Sequence, residues 1–134
     1  MKKSGILNSQ LSGLIAAMGH SDKLVIGDCG LPIPRGKEVV DLALTKNLPR
    51  FIETVKSILA ELHVEQAIIA TEMESRSAGI YRDLLALLPG IEIVKVPHEE
   101  FKQITNGEGN IAFVRTGEAT PYANVILISG VTFG

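Results

Sequence analysis

Six side chains in this sequence could move protons or hold polar groups: His20, Asp28, His98, Lys102, Tyr122 and Asn124. An imidazole ionises near pH ~6.5, so the two histidines can give and recover a proton around neutrality. A carboxylate such as Asp28 accepts. A phenol and a carboxamide make directional hydrogen bonds without adding charge. Such a set suits a small polar ligand and acid–base chemistry on it.

Their spacing poses a problem of reach. His20 and Asp28 flank one apolar run, "KLVIG", inside "MGHSDKLVIGDCGLPIP". As a strand, that run is roughly 17 Å long, too long for one chain to place both side chains easily in one pocket. Either neighbouring copies complete each other's sites, or the strand is shorter than it reads and the loop folds back. His98 closes "IEIVKVPH", and Lys102 follows four residues later, on the same face of a helix. The stretch "RTGEATPYAN" gathers Arg115, Glu118, Tyr122 and Asn124 in one loop.

Each residue also has an ordinary structural job. His20 can answer a helix dipole, and Asp28 can cap the turn before Cys29-Gly30. His98 can cap a short helix, with Lys102 a solvated cation beside Glu99. Tyr122 can simply pack, and Asn124 can serve a turn. His63 reads as the end of a long helix, Cys29 as a small buried residue, and Glu72 and Glu74 as helix-start carboxylates.

The elements that must position these groups follow from periodicity. Leu7, Leu11, Leu14, Ile15 and Met18 share a helical face, with Asn8 or Ser9 as N-cap. "LPRFIETVKSILAELH" carries an apolar stripe of Phe51, Ile52, Val55, Ile58, Leu59 and Leu62. "SRSAGIYRDLLALLPG" predicts one helix closed by Pro89-Gly90, and "HEEFKQIT" a short one. "KLVIGD", "EVVDLAL", "VEQAIIAT", "IEIVKVP", "NIAFVRT" and "NVILISGVTF" predict strands, while Pro32 and Pro34 exclude a helix interior. Strands apolar on both faces, alternating with helices, predict an α/β fold. The expectation is one domain over residues 1–134, with a mostly parallel sheet covered by helices on both faces. Ligands of such sheets sit beyond the carboxyl ends of the strands. Asp28, His98 and the Arg115–Asn124 loop all fall there.

Composition narrows the partners. An apolar fraction of 46% against 21% charged residues predicts a folded chain, and 4% aromatics means an aliphatic core. The formal charge of −2, with no basic block, argues against nucleic acid. No apolar run approaches the ~20 residues that span a bilayer. A single cysteine and no recognisable signal peptide predict a cytoplasmic protein. The fingerprints G-x-G-x-x-G and G-x-x-x-x-G-K-[ST] are absent, as is H-E-x-x-H, so neither a nucleotide cofactor nor a metal is expected. On the residues alone, the reading stops at a polar pocket with two histidines.

"GHSDKLVIGDCGLPIP", "VPHEEFK" and "RTGEATPYANVILISGVTF", in this order and at these separations, resemble the ribose pyranase and fucose mutarotase family, on its ribose branch. The resemblance covers nearly the whole chain. It implies an enzyme that interconverts the β-pyranose and β-furanose forms of D-ribose without cofactor or metal. It also implies His20 as general acid, with Asp28, His98, Tyr122 and Asn124 as sugar-binding positions. "VPHEEFK", with Lys102, favours the ribose branch. Family members are cytoplasmic ring-shaped homo-oligomers, commonly decamers, with sites near subunit boundaries. The alternatives are a mutarotase for another sugar such as fucose, and a non-catalytic sugar-binding accessory of ribose uptake.

Overall fold

In the computed structural model, which describes residues 1–134, α1 (Ser9–Ala17) leads into β1 (Lys23–Gly27) and β2 (Glu38–Asp41). Next come α2 (Phe51–Leu59), β3 (Val64–Ala70), α3 (Thr71–Arg76), α4 (Ala78–Ala86) and β4 (Glu92–Val96). The chain closes with α5 (His98–Thr105), β5 (Ile111–Arg115) and β6 (Val125–Ser129). The six strands form one sheet in the order β2-β5-β1-β6-β3-β4. β6 runs antiparallel between β1 and β3, and every other pairing is parallel. The expected α/β class and mostly parallel sheet are borne out.

Alternation along the strands divides the core. Leu24 and Ile26 of β1 join Val40, Ala67, Ile69, Val114, Val125 and Leu127 in the larger cluster. There they meet Leu11, Leu14 and Ile15 of α1, Phe51, Val55 and Ile58 of α2, Met73 of α3 and Leu84 of α4. Val25, Ile68, Phe113 and Ile126 point the other way, onto Phe101 of α5 and Leu31. Four helices therefore cover one face, and α5 with the proline-containing segment covers the other.

Several local expectations need correction. Asn8 does cap α1, accepting from the Leu11 N–H at 2.9 Å. Leu7, however, precedes that cap and is 66% exposed, so it is not on the buried stripe. α1 ends at Ala17, which leaves His20 in a turn beyond the helix and out of reach of a dipole role. His63 likewise lies past the end of α2, between Leu59 and the first residue of β3. The helix expected over 75–90 is two helices, α3 and α4. They break at Ser77, whose backbone leaves helical geometry and whose hydroxyl donates to the Pro121 carbonyl. His98 is the first residue of α5, with Pro97 as its cap.

Candidate functional site

Because β6 is antiparallel, its beginning lies at the edge where the parallel strands end. That edge gathers Asp28 after β1, Glu72 after β3, His98 after β4, and Tyr122 and Asn124 before β6. A pocket of about 340 Å³ opens there, lined by Asp28, Cys29, Leu31, His98, Glu118 and Tyr122 among others.

Asp28 is fixed from both of its ends. Its N–H donates to Asn124 Oδ1 at 2.8 Å, and its Oδ1 accepts from the Gly30 N–H at 2.9 Å. Burial pushes its carboxyl above the usual range, opposed by the Gly30 N–H, the Asn124 amide, the Leu31 N–H and the charge of His98. The strand must end in glycine to allow this. A Cβ at Gly27 would sit 2.8 Å from Leu31 Cδ2 and 3.1 Å from Asn124 Oδ1.

His98 is held through its backbone and its ring. Its N–H donates to Glu72 Oε1 at 3.0 Å, so the helix begins on a carboxylate. Burial disfavours the Glu72 anion, but backbone N–H groups, the Thr71 hydroxyl and the His98 charge outweigh it and hold the carboxyl below its usual range. The imidazole stacks on Phe101 at 6.2 Å and meets Tyr122 edge-on at 5.1 Å. Its Nδ1 is buried without a hydrogen-bond partner, and so is Nδ2 of Asn124. At the pocket, His98 Nδ1 is therefore a buried polar atom with no protein partner.

The Arg115–Asn124 loop is braced from beneath. Glu118 is fully buried and accepts from Arg50 Nη2 at 2.9 Å, Phe51 N–H at 3.0 Å and the Thr120 hydroxyl at 2.7 Å. Burial works against this carboxylate, yet Arg50, Phe51 and Thr120 hold it below the usual range. The Glu118 carbonyl also accepts from the Cys29 N–H, tying the loop to the Asp28 turn. Arg115 points away from any ligand role, donating to the Cys29 carbonyl and pairing with Asp41.

Two expected members stand outside this pocket within the single chain. Lys102 pairs with Glu99 at 2.9 Å and lines a neighbouring groove with Pro32, Ile33 and Pro34. Pro32 is shared by groove and pocket, so Lys102 stands at the rim. His20 lies at the opposite edge of the sheet, where its Nε2 meets Glu65 Oε2 at 3.1 Å. β1 has the full five residues expected, so no fold-back shortens the reach. Glu72, which holds the His98 backbone at the pocket edge, is read from sequence only as a helix-start carboxylate, although its place after β3 marks it by the same edge rule as Asp28. No signal in the sequence pairs Glu65 with His20. No three His, Cys, Asp or Glu side chains converge as a metal site requires. No helix is long and apolar enough to cross a membrane.

An open, mostly parallel sheet with a polar cleft at the carboxyl ends of its strands defines the class: an α/β protein with a small-molecule site at that edge. The chain belongs to the RbsD / FucU transport protein family, whose model matches residues 1–132. A D-ribose pyranase of Coprothermobacter proteolyticus is 55% identical over 133 residues, covering 99% of this chain and 100% of its own. A D-ribose pyranase of Geobacillus kaustophilus is 46% identical over 99% of this chain and 96% of its own. The solved structure of Bacillus subtilis RbsD complexed with D-ribose superposes with a TM-score of 0.93 at 45% identity, covering 99% of this chain and 100% of that one. A fucose mutarotase from Streptococcus pneumoniae, solved with L-fucose, is 21% identical with a TM-score of 0.75 over 95% of each chain, a likeness of fold.

Proposed function

We propose that this protein is a D-ribose pyranase, an isomerase that interconverts the β-pyranose and β-furanose forms of D-ribose by acid–base opening and closing of the ring. The observation that carries the reading is the buried, unpartnered Nδ1 of His98 at a pocket lined by Asp28 and Tyr122, with the unpartnered Asn124 Nδ2 just behind Asp28. A buried polar group left unsatisfied costs about 1–3 kcal/mol, which a sugar hydroxyl relieves. Full-length likeness to D-ribose pyranases and to a ribose-bound relative supports ribose as that sugar.

The chemistry follows from the groups. His20 protonates the ring oxygen O5 while the O1 hydroxyl loses its proton to an acceptor in the pocket, Asp28 or His98. The C1–O5 bond breaks and C1 becomes an aldehyde. The chain turns, O4 attacks C1 and gives its proton to His20, and O1 regains its proton from the acceptor, so atoms and charge balance. Tyr122 and Asn124 hold hydroxyls, and Lys102 reaches the sugar from the rim. Ribose already opens slowly in water, so acid–base catalysis of ~10²–10⁴-fold, roughly 3–5 kcal/mol of barrier, suffices. No cofactor enters these steps.

Since His20 and this pocket occupy opposite edges of one chain, the reading takes His20 from a neighbouring copy. We assign the working form to a cytoplasmic ring-shaped homo-oligomer, ten chains in the family pattern. Exposed Leu44, Leu48 and Phe133 are apolar surface that contact between copies would cover.

The test is saturation-transfer NMR on ribose. Micromolar protein should speed exchange between pyranose and furanose anomeric signals, and unchanged exchange overturns the reading. Acceleration with fucose but not ribose moves the protein to the other branch. Ribose binding in calorimetry with exchange at the buffer rate makes it an accessory.

A further inference from the structure

We infer that Glu65 is a positioning residue for His20, holding Nε2 as the N–H end of the imidazole so that Nδ1 is the nitrogen presented to the sugar. The inference rests on His20 being the acid of the proposed reaction. Both oxygens of Glu65 approach Nε2, at 3.2 and 3.1 Å. A carboxylate can only accept, so the proton of the neutral ring belongs on Nε2 and the lone pair on Nδ1.

Two further features show that this contact is constructed. The β3·β6 ladder slips between Val64 and Gln66, which pair with Ser129 and Ile128, making Glu65 the extra residue of a β-bulge. Bulges re-aim one side chain out of the alternation of its strand, and here that side chain meets His20. On the other side, the turn that carries His20 is strapped to the sheet. Ser21 adopts a φ of 73°, costly for a residue with a Cβ. It is kept there by Ser21 N–H to the Ser129 carbonyl, Ser129 N–H to the Asp22 carbonyl, and Gly19 N–H to Asp22 Oδ2. The Asp22 carboxylate is occupied with Gly19 and Asn110, and His63 lies against Gly130, which leaves Glu65 as the acidic partner of the ring.

The consequence is a division of labour within one ring. Nε2 keeps its proton throughout. Nδ1 alone exchanges one with the sugar, delivering it to the ring oxygen and taking one back on closure. The ring that delivers the proton is the imidazolium, and its positive charge is set against Glu65 before opening and again after closure, as in catalytic carboxylate–imidazole pairs.

The experiment uses the assembled full-length protein with ¹⁵N-labelled histidine. Long-range ¹H–¹⁵N correlation at alkaline pH, without sugar, should show His20 protonated on Nε2. In Glu65→Ala the preference should be lost. Turnover at saturating ribose should fall about ten- to a hundredfold with little change in KM, as expected for loss of part of an acid–base contribution. Glu65→Asp should recover part of it. A wild-type His20 protonated on Nδ1, or a Glu65→Ala enzyme with normal turnover beside an inactive His20→Ala, overturns the inference and leaves the acid role of His20 standing. Full turnover in His20→Ala removes that role and this inference together.

Discussion

Tyr122 pays for its place in the pocket with backbone strain. Its φ of 62° lies in the left-handed region, where a bulky side chain costs on the order of 1–3 kcal/mol. Bonds on either side hold it there: Asn124 N–H to the Tyr122 carbonyl, and Asp28 N–H to Asn124 Oδ1. Asn124 thus orients the turn that carries Asp28, and in the proposed function its Nδ2 serves the sugar. Asn124→Ala should cost about 1–3 kcal/mol in urea denaturation, because the Asp28 N–H loses its acceptor in a buried setting, and should weaken ribose binding in calorimetry. Asp28 points in the opposite direction. Its folded-state pKa is raised, so its ionisation above the ordinary carboxylate range weakens the fold. Asp28→Asn keeps an oxygen for the Gly30 N–H and removes that charge. It should raise stability at pH 7 by about 1 kcal/mol or less while reducing ribose turnover, the exchange of stability for function expected at a binding site. A mutant less stable than wild type at pH 7 would refute the argument.

The helix α2 shows how an element far from the ligand sets the pocket wall. Its cap, Arg50, supplies no side-chain acceptor for the first turn. Glu118, from the site loop, accepts the Phe51 N–H instead, so one buried carboxylate both caps α2 and anchors the loop that carries Tyr122. The preceding Gly117 packs so closely that a Cβ would fall 2.5 Å from the carbonyl oxygens of Thr45 and Leu48. Glu118→Ala should therefore destabilise by about 2 kcal/mol, through a lost cap and unpaired buried donors. It should also broaden the Tyr122 and Asn124 resonances in NMR. Arg50→Ala should destabilise at neutral pH as well, since it leaves the fully buried Glu118 carboxylate without its counter-charge.

For the molecule as a whole, acid is the informative variable. Glu72 and Glu118 both have folded-state pKa values below those of ordinary glutamates. Their stabilisation is present above the unfolded value of ~4.3 and is lost as pH falls through the depressed folded values. Asp28 contributes with the opposite sign, losing stability as pH rises through its raised folded value. Denaturation midpoints should stay nearly level from pH 7 to 5 and drop below about pH 4.3, and the drop should flatten in Glu118→Gln. Assembly has its own signature. If each site takes His20 from one chain and Asp28 from another, then His20→Ala and Asp28→Asn chains, each inactive, should regain activity when refolded together. An equal mixture should show about a quarter of wild-type turnover, because both halves must be drawn intact. No recovery would place both residues of a working site on one chain.

Local patterns in the sequence were enough for the α/β class, the six strands, a cap at Asn8 or Ser9 and the edge carrying Asp28, His98, Tyr122 and Asn124. Alternation, stripes and turn residues act between near neighbours, and the rule that ligands sit where strands end needs only the order of elements. The break at Ser77, the capping of α2 by Glu118, the bulge that turns Glu65 toward His20, and the strand order that puts β6 antiparallel in the middle were decided by tertiary structure. Each joins residues tens of positions apart, and the free energy that selects such a contact comes from packing the whole sheet, which no local stretch of residues contains.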